Sequence, residues 1–180
     1  METERQLIEK YKQGERMAGR RLYERYGGRL MAICMRYMAN GEEARDVLQD
    51  AFVKILTSIG RFEYRGEGSL QAWMAKITVN EALGHLGQQG MLRMADELPA
   101  DMADDDEPPE RIPPDVLTRM IGELPAGYRT VLNLFVFEQV PHKEIARRLG
   151  ITESTSGSQY NRAKKILAQK IKEYIKQGYQ

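Results

Sequence analysis

Along most of the chain, apolar side chains recur at steps of three and four residues, the period of a helix with one buried face. The clearest run lies between Glu42 and Ile59, where Ala44, Val47, Leu48, Ala51, Phe52, Ile55, Leu56 and Ile59 form one continuous stripe. Ahead of it Leu30, Ile33, Cys34, Tyr37 and Met38 repeat the pattern, and Asn40-Gly41 is the expected left-handed stop and restart between two helices. Arg20 to Tyr26 reads as a further helix, ended by Gly27-Gly28. After a polar, glycine-containing stretch, Ser69 is expected to cap a helix carrying Leu70, Trp73, Met74 and Ile77. That helix is expected to fray where Gly84, Gly87 and Gly90 accumulate. No hairpin turn is flanked by alternating residues, and the ambiguous run Val131 to Phe137 keeps helical phase with Tyr128. The pattern therefore predicts an all-α protein.

The sharpest local signal is near the C-terminal end. Pro141 suits the first turn of a short helix, HKEIARRL, which stops at Gly150, and Ile151-Thr152 leads into a long helix from about Glu153 to Ile175. This is the spacing of a helix-turn-helix: Ala146 is small where two helices cross, Gly150 permits the turn, and Ile145, Leu149 and Ile151 fill the wedge. The long helix is expected to bury Tyr160, Ala163, Leu167, Ile171 and Tyr174 and to present Thr155, Ser158, Gln159, Arg162, Lys164 and Lys165. Such a set reaches phosphates through charge and base edges through Gln or Arg. The competing reading is an ordinary helical hairpin with a solvated basic face.

Charge divides the chain in three. Residues 1–95 hold 15 basic and 12 acidic side chains, residues 96–115 hold one and nine, and residues 116–180 hold 11 and five, which hides behind a net charge of +1. The middle segment also carries five of the seven prolines and too few periodic apolar residues to offset the entropy of ordering. It reads as an extended acidic tether, stiffened by proline and self-repulsion, between helical domains at 1–95 and 116–180. Its Asp run lacks the glycine and distal Glu of a calcium loop. No apolar run approaches the roughly 20 residues of a membrane helix, so no membrane insertion is expected. The N-terminus is charged from its second residue, unlike a secretory signal. Cys34, the single cysteine, reads as a buried small hydrophobe. A reducing cytoplasm fits these features.

Two further groupings carry candidate chemistry. Asp46, Gln49 and Asp50, at i, i+3 and i+4, form a polar strip beside the apolar stripe, able to grip a basic partner surface, or else an ordinary solvated face. Trp73, Lys76 and Asn80 share a flank of the next predicted helix, beside a loop containing Phe62, Tyr64, Arg65 and Ser69. An extruded base needs a flat apolar surface to stack on and hydrogen bonds for its edge, and this aromatic, basic and amide cluster supplies both. Trp73 also reads as a core residue, the commoner fate of a single tryptophan in a helical bundle. His85 and His142 stand apart, and no nucleophile triad, phosphate loop or metal-ligand spacing occurs, so neither an enzyme nor a cofactor is expected.

Taken in order, DVLQDAFVKIL (residues 46–56), GSLQAWMAKITVN (68–80) and LPAGYRTVLNLFVFEQVPHKEIARRLGITESTSGSQYNRAKKIL (124–167) resemble bacterial RNA polymerase sigma factors of the extracytoplasmic-function (ECF) group. The resemblance covers almost the whole chain. It implies a sigma-2-like bundle and a sigma-4-like helix-turn-helix domain joined by a linker, and a promoter-specificity factor for core RNA polymerase. It further implies that Asp46, Gln49, Asp50 and Val53 meet the clamp helices of the polymerase. Phe62, Tyr64, Arg65, Ser69, Trp73, Lys76 and Asn80 would capture flipped minus-ten bases, without ATP. Thr155, Ser158, Gln159, Arg162 and Lys165 would read the minus-thirty-five element. An anti-sigma partner and a monomeric free state are also implied.

Two departures from the family pattern stand out. After Asn80 the chain reads EALGHLGQQGMLR, with Arg93 alone basic, where family members often carry several cations. Ser156 and Gly157 replace an apolar and a basic residue in the recognition helix. Weaker hold on downstream duplex and a weakly starting recognition helix follow from these. The competing function is a stand-alone helix-turn-helix regulator, which predicts a dimer on palindromic DNA.

Overall fold

The computed structural model describes residues 2–88 and 112–178. Among these residues every regular element is helical, and the chain divides into two compact units, the first ending at His85. The first holds α1 (Glu4–Lys12), α2 (Ala18–Tyr37), α3 (Gly41–Ser58), a single 3₁₀ turn at Ile59–Arg61 and all but the last residues of α4 (Ser69–Gln88). The second holds α5 (Pro114–Gly122), α6 (Ala126–Leu132), a π-helical turn at Asn133–Phe137, α7 (His142–Leu149) and α8 (Glu153–Lys176). Most of the expected tether, residues 96–111, lies outside the described residues, as does Gly90. α5 starts at Pro114, with Pro113 as its N-cap, using prolines where the helix needs no amide donor.

In the first unit the anticipated stripe is the core. Ala44, Val47, Leu48, Ala51, Phe52 and Ile55 of α3 are buried against a helix, α2, that buries Leu22, Tyr26, Leu30, Cys34 and Tyr37. Cys34 is fully buried as a core side chain, and that burial pushes its thiol up to about 12. Three sequence expectations are corrected here. α2 does not end at Gly27-Gly28 but runs through both. Each glycine costs about 1 kcal/mol against alanine, while each large apolar side chain buried on the same stripe returns about 1.5–3 kcal/mol. α4 likewise continues through Gly84 and Gly87. Asn40 is extended (φ −143°, ψ 163°) rather than left-handed, and it restarts the chain as the N-cap of α3, its side chain accepting the Glu43 amide at 2.9 Å.

α1 is not among the helices expected from apolar periodicity. Its signal is a capping box, Thr3-x-x-Gln6, in which the Thr3 hydroxyl accepts the Gln6 amide (3.2 Å) and the Gln6 side chain accepts the Thr3 amide (3.0 Å). Leu7 and Ile8 then anchor the helix by burial.

The second unit is organised around Ile121, Leu124, Tyr128, Leu132 and Ala163, with Leu117, Tyr160, Ile166 and Leu167 packed at the edge. α6 and α7 both lie against α8. Arg129 is buried yet satisfied: one guanidinium nitrogen donates to the Gly122 and Leu124 carbonyls (2.8 and 2.9 Å), closing the C-terminal end of α5. The ambiguous 131–137 run is helical as expected, passing from α6 into the π turn.

Candidate functional site

Three surfaces collect the residues singled out above. On α3 the buried stripe turns Asp46, Gln49, Asp50 and Val53 outward, and all four are exposed, Val53 at 62%. Neither Asp46 nor Asp50 has an ion-pair partner among the described residues, whereas Lys54, one turn on, is held by Glu81 of α4. The strip is thus an acidic face with an apolar side chain at its end and no internal cation to neutralise it. An exposed large apolar residue flanked by unpaired charge suits a partner with basic and apolar groups.

The second surface is the segment between α3 and α4. Phe62 and Trp73 meet at 5.0 Å between ring centroids, inclined by 43°. They line a cleft of about 400 Å³ with Arg61, Glu63, Arg65 and Ser69. Trp73 is therefore half-buried at a cleft rather than enclosed in the core. Ser69 does not cap α4 in the usual way; it is the first residue of the helix, and its hydroxyl donates to the Gly66 carbonyl (2.6 Å) while accepting the Arg65 amide (3.2 Å). Gly66 and Gly68 hold φ of +119° and +86°, which L side chains rarely adopt, and this lets the segment double back onto α4. Tyr64 lines a neighbouring cleft with Arg5, Ile8, Glu9, Lys12 and Phe62. Burial, reinforced by Glu67, raises its phenol above the usual range. Lys76 and Asn80 line neither cleft. Both are exposed further along α4, with Asn80 about 10 Å along the axis from Trp73 at helical rise. The cleft thus offers a stacking surface with two guanidinium groups at its rim, and the flank beyond offers an amide and an ammonium.

The third surface is the helix-turn-helix. Pro141 caps α7, Gly150 is left-handed (φ 68°, ψ 33°), and the Thr152 hydroxyl accepts the Thr155 amide (3.0 Å) to start α8. Ile145 and Ala146 are buried at the crossing, as the spacing predicts. Thr155, Arg162 and Lys165 are partly exposed and Ser158 fully so. The Arg162 guanidinium also reaches the Tyr128 hydroxyl at 3.3 Å, and Lys164 lies over the Tyr160 ring at 4.9 Å. Gln159 is corrected: it is 6% exposed, because at i+3 from Ser156 and i−4 from Ala163 it shares the stripe turned into the unit. The exposed row instead passes through Ser154, Ser158 and Asn161, and Asn161 is a residue that sequence reading missed because its neighbours carry the charge.

His142 is half-buried at the start of α7. Its ring stacks on Phe135 (4.3 Å, 7°) and its Nδ1 shares a 2.8 Å hydrogen bond with Ser156 Oγ. This explains the departure at Ser156: the buried hydroxyl ties the start of α8 to the start of α7 where an apolar residue would only pack. On α7, hydrogen bonds from Arg147 and then Arg148 hold the Glu144 carboxyl down at about 2.

Two helical units, one bearing an acidic strip and an aromatic cleft, the other a helix-turn-helix, have the make-up of a DNA-binding transcription protein. Comparison with known proteins agrees with that class. Sigma-70 region 2 matches residues 22–91 and Sigma-70, region 4 matches residues 115–167. The chain is 26% identical to the RNA polymerase sigma-H factor of Pseudomonas aeruginosa, covering 98% of both chains. It is 27% identical to the ECF RNA polymerase sigma-E factor of Haemophilus influenzae, over 94% of this chain and 95% of that one. With the sigma-E factor of Escherichia coli the identity is 26% over 97% of each. The chain belongs to the ECF group of the sigma-70 family. Among the described residues no helix is long and apolar enough to cross a membrane.

Proposed function

We propose that the protein is a transcription initiation factor that binds core RNA polymerase and directs it to specific promoters, acting in the cytoplasm and without catalysis of its own. The observation that carries this is the succession of region 2 and region 4 in a chain that matches sigma factors from end to end. End-to-end similarity does not favour a stand-alone regulator, whose likeness would be confined to the helix-turn-helix.

Within that function each surface has a role supported by its chemistry. The unpaired acidic strip of Asp46, Gln49 and Asp50, with Val53 exposed beside it, suits the clamp helices of the polymerase. The Phe62–Trp73 cleft, with Arg65 and Ser69 on its wall and Tyr64, Lys76 and Asn80 around it, suits capture of extruded minus-ten bases. Stacking supplies about 1–3 kcal/mol per base, so binding of the open strand drives melting without ATP. Thr155, Ser158, Arg162 and Lys165, joined by Asn161 in place of Gln159, suit contact with the minus-thirty-five element. The free chain is a monomer, and an anti-sigma factor that covers the strip or the cleft would keep it inactive.

The test is reconstitution. Purified chain and core polymerase should form a holoenzyme that transcribes from a promoter selected genome-wide, and a chain unable to form holoenzyme overturns the proposal. A stable dimer that binds palindromic duplex without polymerase would instead establish the regulator.

A further inference from the structure

We propose that α1 is a working part of the strand-capture site, with Glu4 as the positioning residue that fixes the segment between α3 and α4 and Lys12 as the tie at its other end. The inference rests on the base-capture role given to the Phe62–Trp73 cleft above. It concerns a helix outside residues 22–91, the part matched by Sigma-70 region 2.

The segment from Phe62 to Gly68 forms no helix or strand, and its own hydrogen bonds are few. Phe62 N–H donates to the Ile59 carbonyl at 3.1 Å, and the Ser69 hydroxyl closes the turn at Gly66. Two further bonds come from α1. The Gly68 amide donates to Glu4 Oε2 at 2.9 Å, where the segment enters α4. At the opposite end Lys12 Nζ donates to the Phe62 carbonyl at 3.1 Å. Eight residues of helical rise, about 12 Å, separate the two tying residues, so one rigid element spans the segment.

α1 is itself moored independently of these ties. Leu7 and Ile8 are buried, and the Tyr11 hydroxyl donates to the Leu56 carbonyl at 3.1 Å. Glu4 is therefore not needed to attach the helix, yet it is 3% exposed, a costly place for a carboxylate. Its other oxygen accepts the Tyr26 hydroxyl at 2.9 Å, which aims the carboxylate at the Gly68 amide from the rigid α2. An apolar side chain there would leave the buried Tyr26 hydroxyl and the Gly68 amide without their acceptor. What the carboxylate adds is a fixed acceptor for the one amide that sets the geometry where Gly68 turns into the helix carrying Trp73.

The experiment uses the full chain and its holoenzyme with Glu4→Ala, Glu4→Gln and Lys12→Ala. Trp73, the single tryptophan, reports the segment directly by its emission in the free protein. A labelled single-stranded minus-ten oligonucleotide reports capture by the holoenzyme. Glu4→Ala should shift Trp73 emission and weaken capture about tenfold, with affinity for core polymerase changed less than twofold. Glu4→Gln should stay near wild type in both, because its Oε1 accepts the Gly68 amide while its Nε2 donates to the Tyr26 hydroxyl. Lys12→Ala, at an exposed side chain, should weaken capture about threefold with unchanged thermal unfolding, and it decides the matter if Glu4→Ala does not fold. Unchanged emission and capture in Glu4→Ala overturn the proposal, as does equal loss in the Ala and Gln variants. If wild-type holoenzyme captures no strand, the reading of the cleft fails, and the emission comparison alone still decides whether Glu4 positions the segment.

Discussion

Gly157 sits in the first turns of α8, the helix proposed to lie on duplex DNA, and its replacement by alanine is the perturbation whose outcome the structure fixes most tightly. Its φ is helical, not left-handed, and a methyl group built on it meets no atom within 4 Å. Alanine therefore adds no clash and no new contact. What changes is the unfolded chain, which loses conformational freedom, and the helix, which no longer carries its least favourable interior residue. The expected gain is about 1 kcal/mol. For a domain of 60–100 residues this raises the midpoint of thermal unfolding by about 4–8 °C. Because Trp73 lies in the first unit, tryptophan fluorescence follows that unit alone, while far-ultraviolet circular dichroism follows both. The dichroism transition assigned to the second unit should move up and the fluorescence transition should stay. An unchanged or lowered second-unit transition would refute the argument, since it would mean that the start of α8 is held by something other than backbone propensity. If ordering of α8 is coupled to DNA contact, the same substitution tightens promoter binding by up to about fivefold, the factor that 1 kcal/mol represents.

Three further outcomes follow from the same reasoning. Val53→Asp should weaken holoenzyme assembly by about 5- to 25-fold, since 62% of the residue's surface remains to be buried by a partner and full burial of valine is worth about 1.5–3 kcal/mol. Its thermal unfolding should shift little, because valine and aspartate have similar helix propensity, and a titration of core polymerase against labelled chain checks both points. Lys165→Ala should flatten the slope of log promoter affinity against log salt by about 0.9, measured on the holoenzyme, and an unchanged slope removes Lys165 from the phosphate contacts. Glu144, held at about 2 by Arg147 and Arg148 against an ordinary 4.5, stabilises α7 above pH 4.5 and loses that contribution as pH falls toward 2. Glu144→Gln should therefore reduce the acid sensitivity of the second unit over that window, read by melting curves at pH 5 and pH 2.5.

Helix-turn-helix residues were legible because each obeys a local requirement: a proline before the first amide, a left-handed glycine at the turn, a hydroxyl at the next cap. The outward turn of Asp46, Gln49, Asp50 and Val53 was legible for the same kind of reason, since the apolar stripe on α3 dictates which side is left to solvent. Local reading failed where burial outweighs propensity, as at Gly27 and Gly84, whose helices continue because neighbouring side chains bury enough apolar surface to offset the glycine cost. It failed also at Gln159, whose polar side chain is drawn inward.

Legible in the residues alone are the helices from α2 onward with a long amphipathic stripe, the divided charge and the positions that turn the chain, because periodicity and backbone preference act over a few residues. Which side chains meet across long separations is settled by the packing of the folded chain. Examples are Phe62 on Trp73, His142 on Phe135 and Ser156, and above all Glu4 reaching Gly68 across 64 residues. No local rule carries such pairings, because they depend on the packing of whole helices, and the cleft proposed to hold a base is built from them.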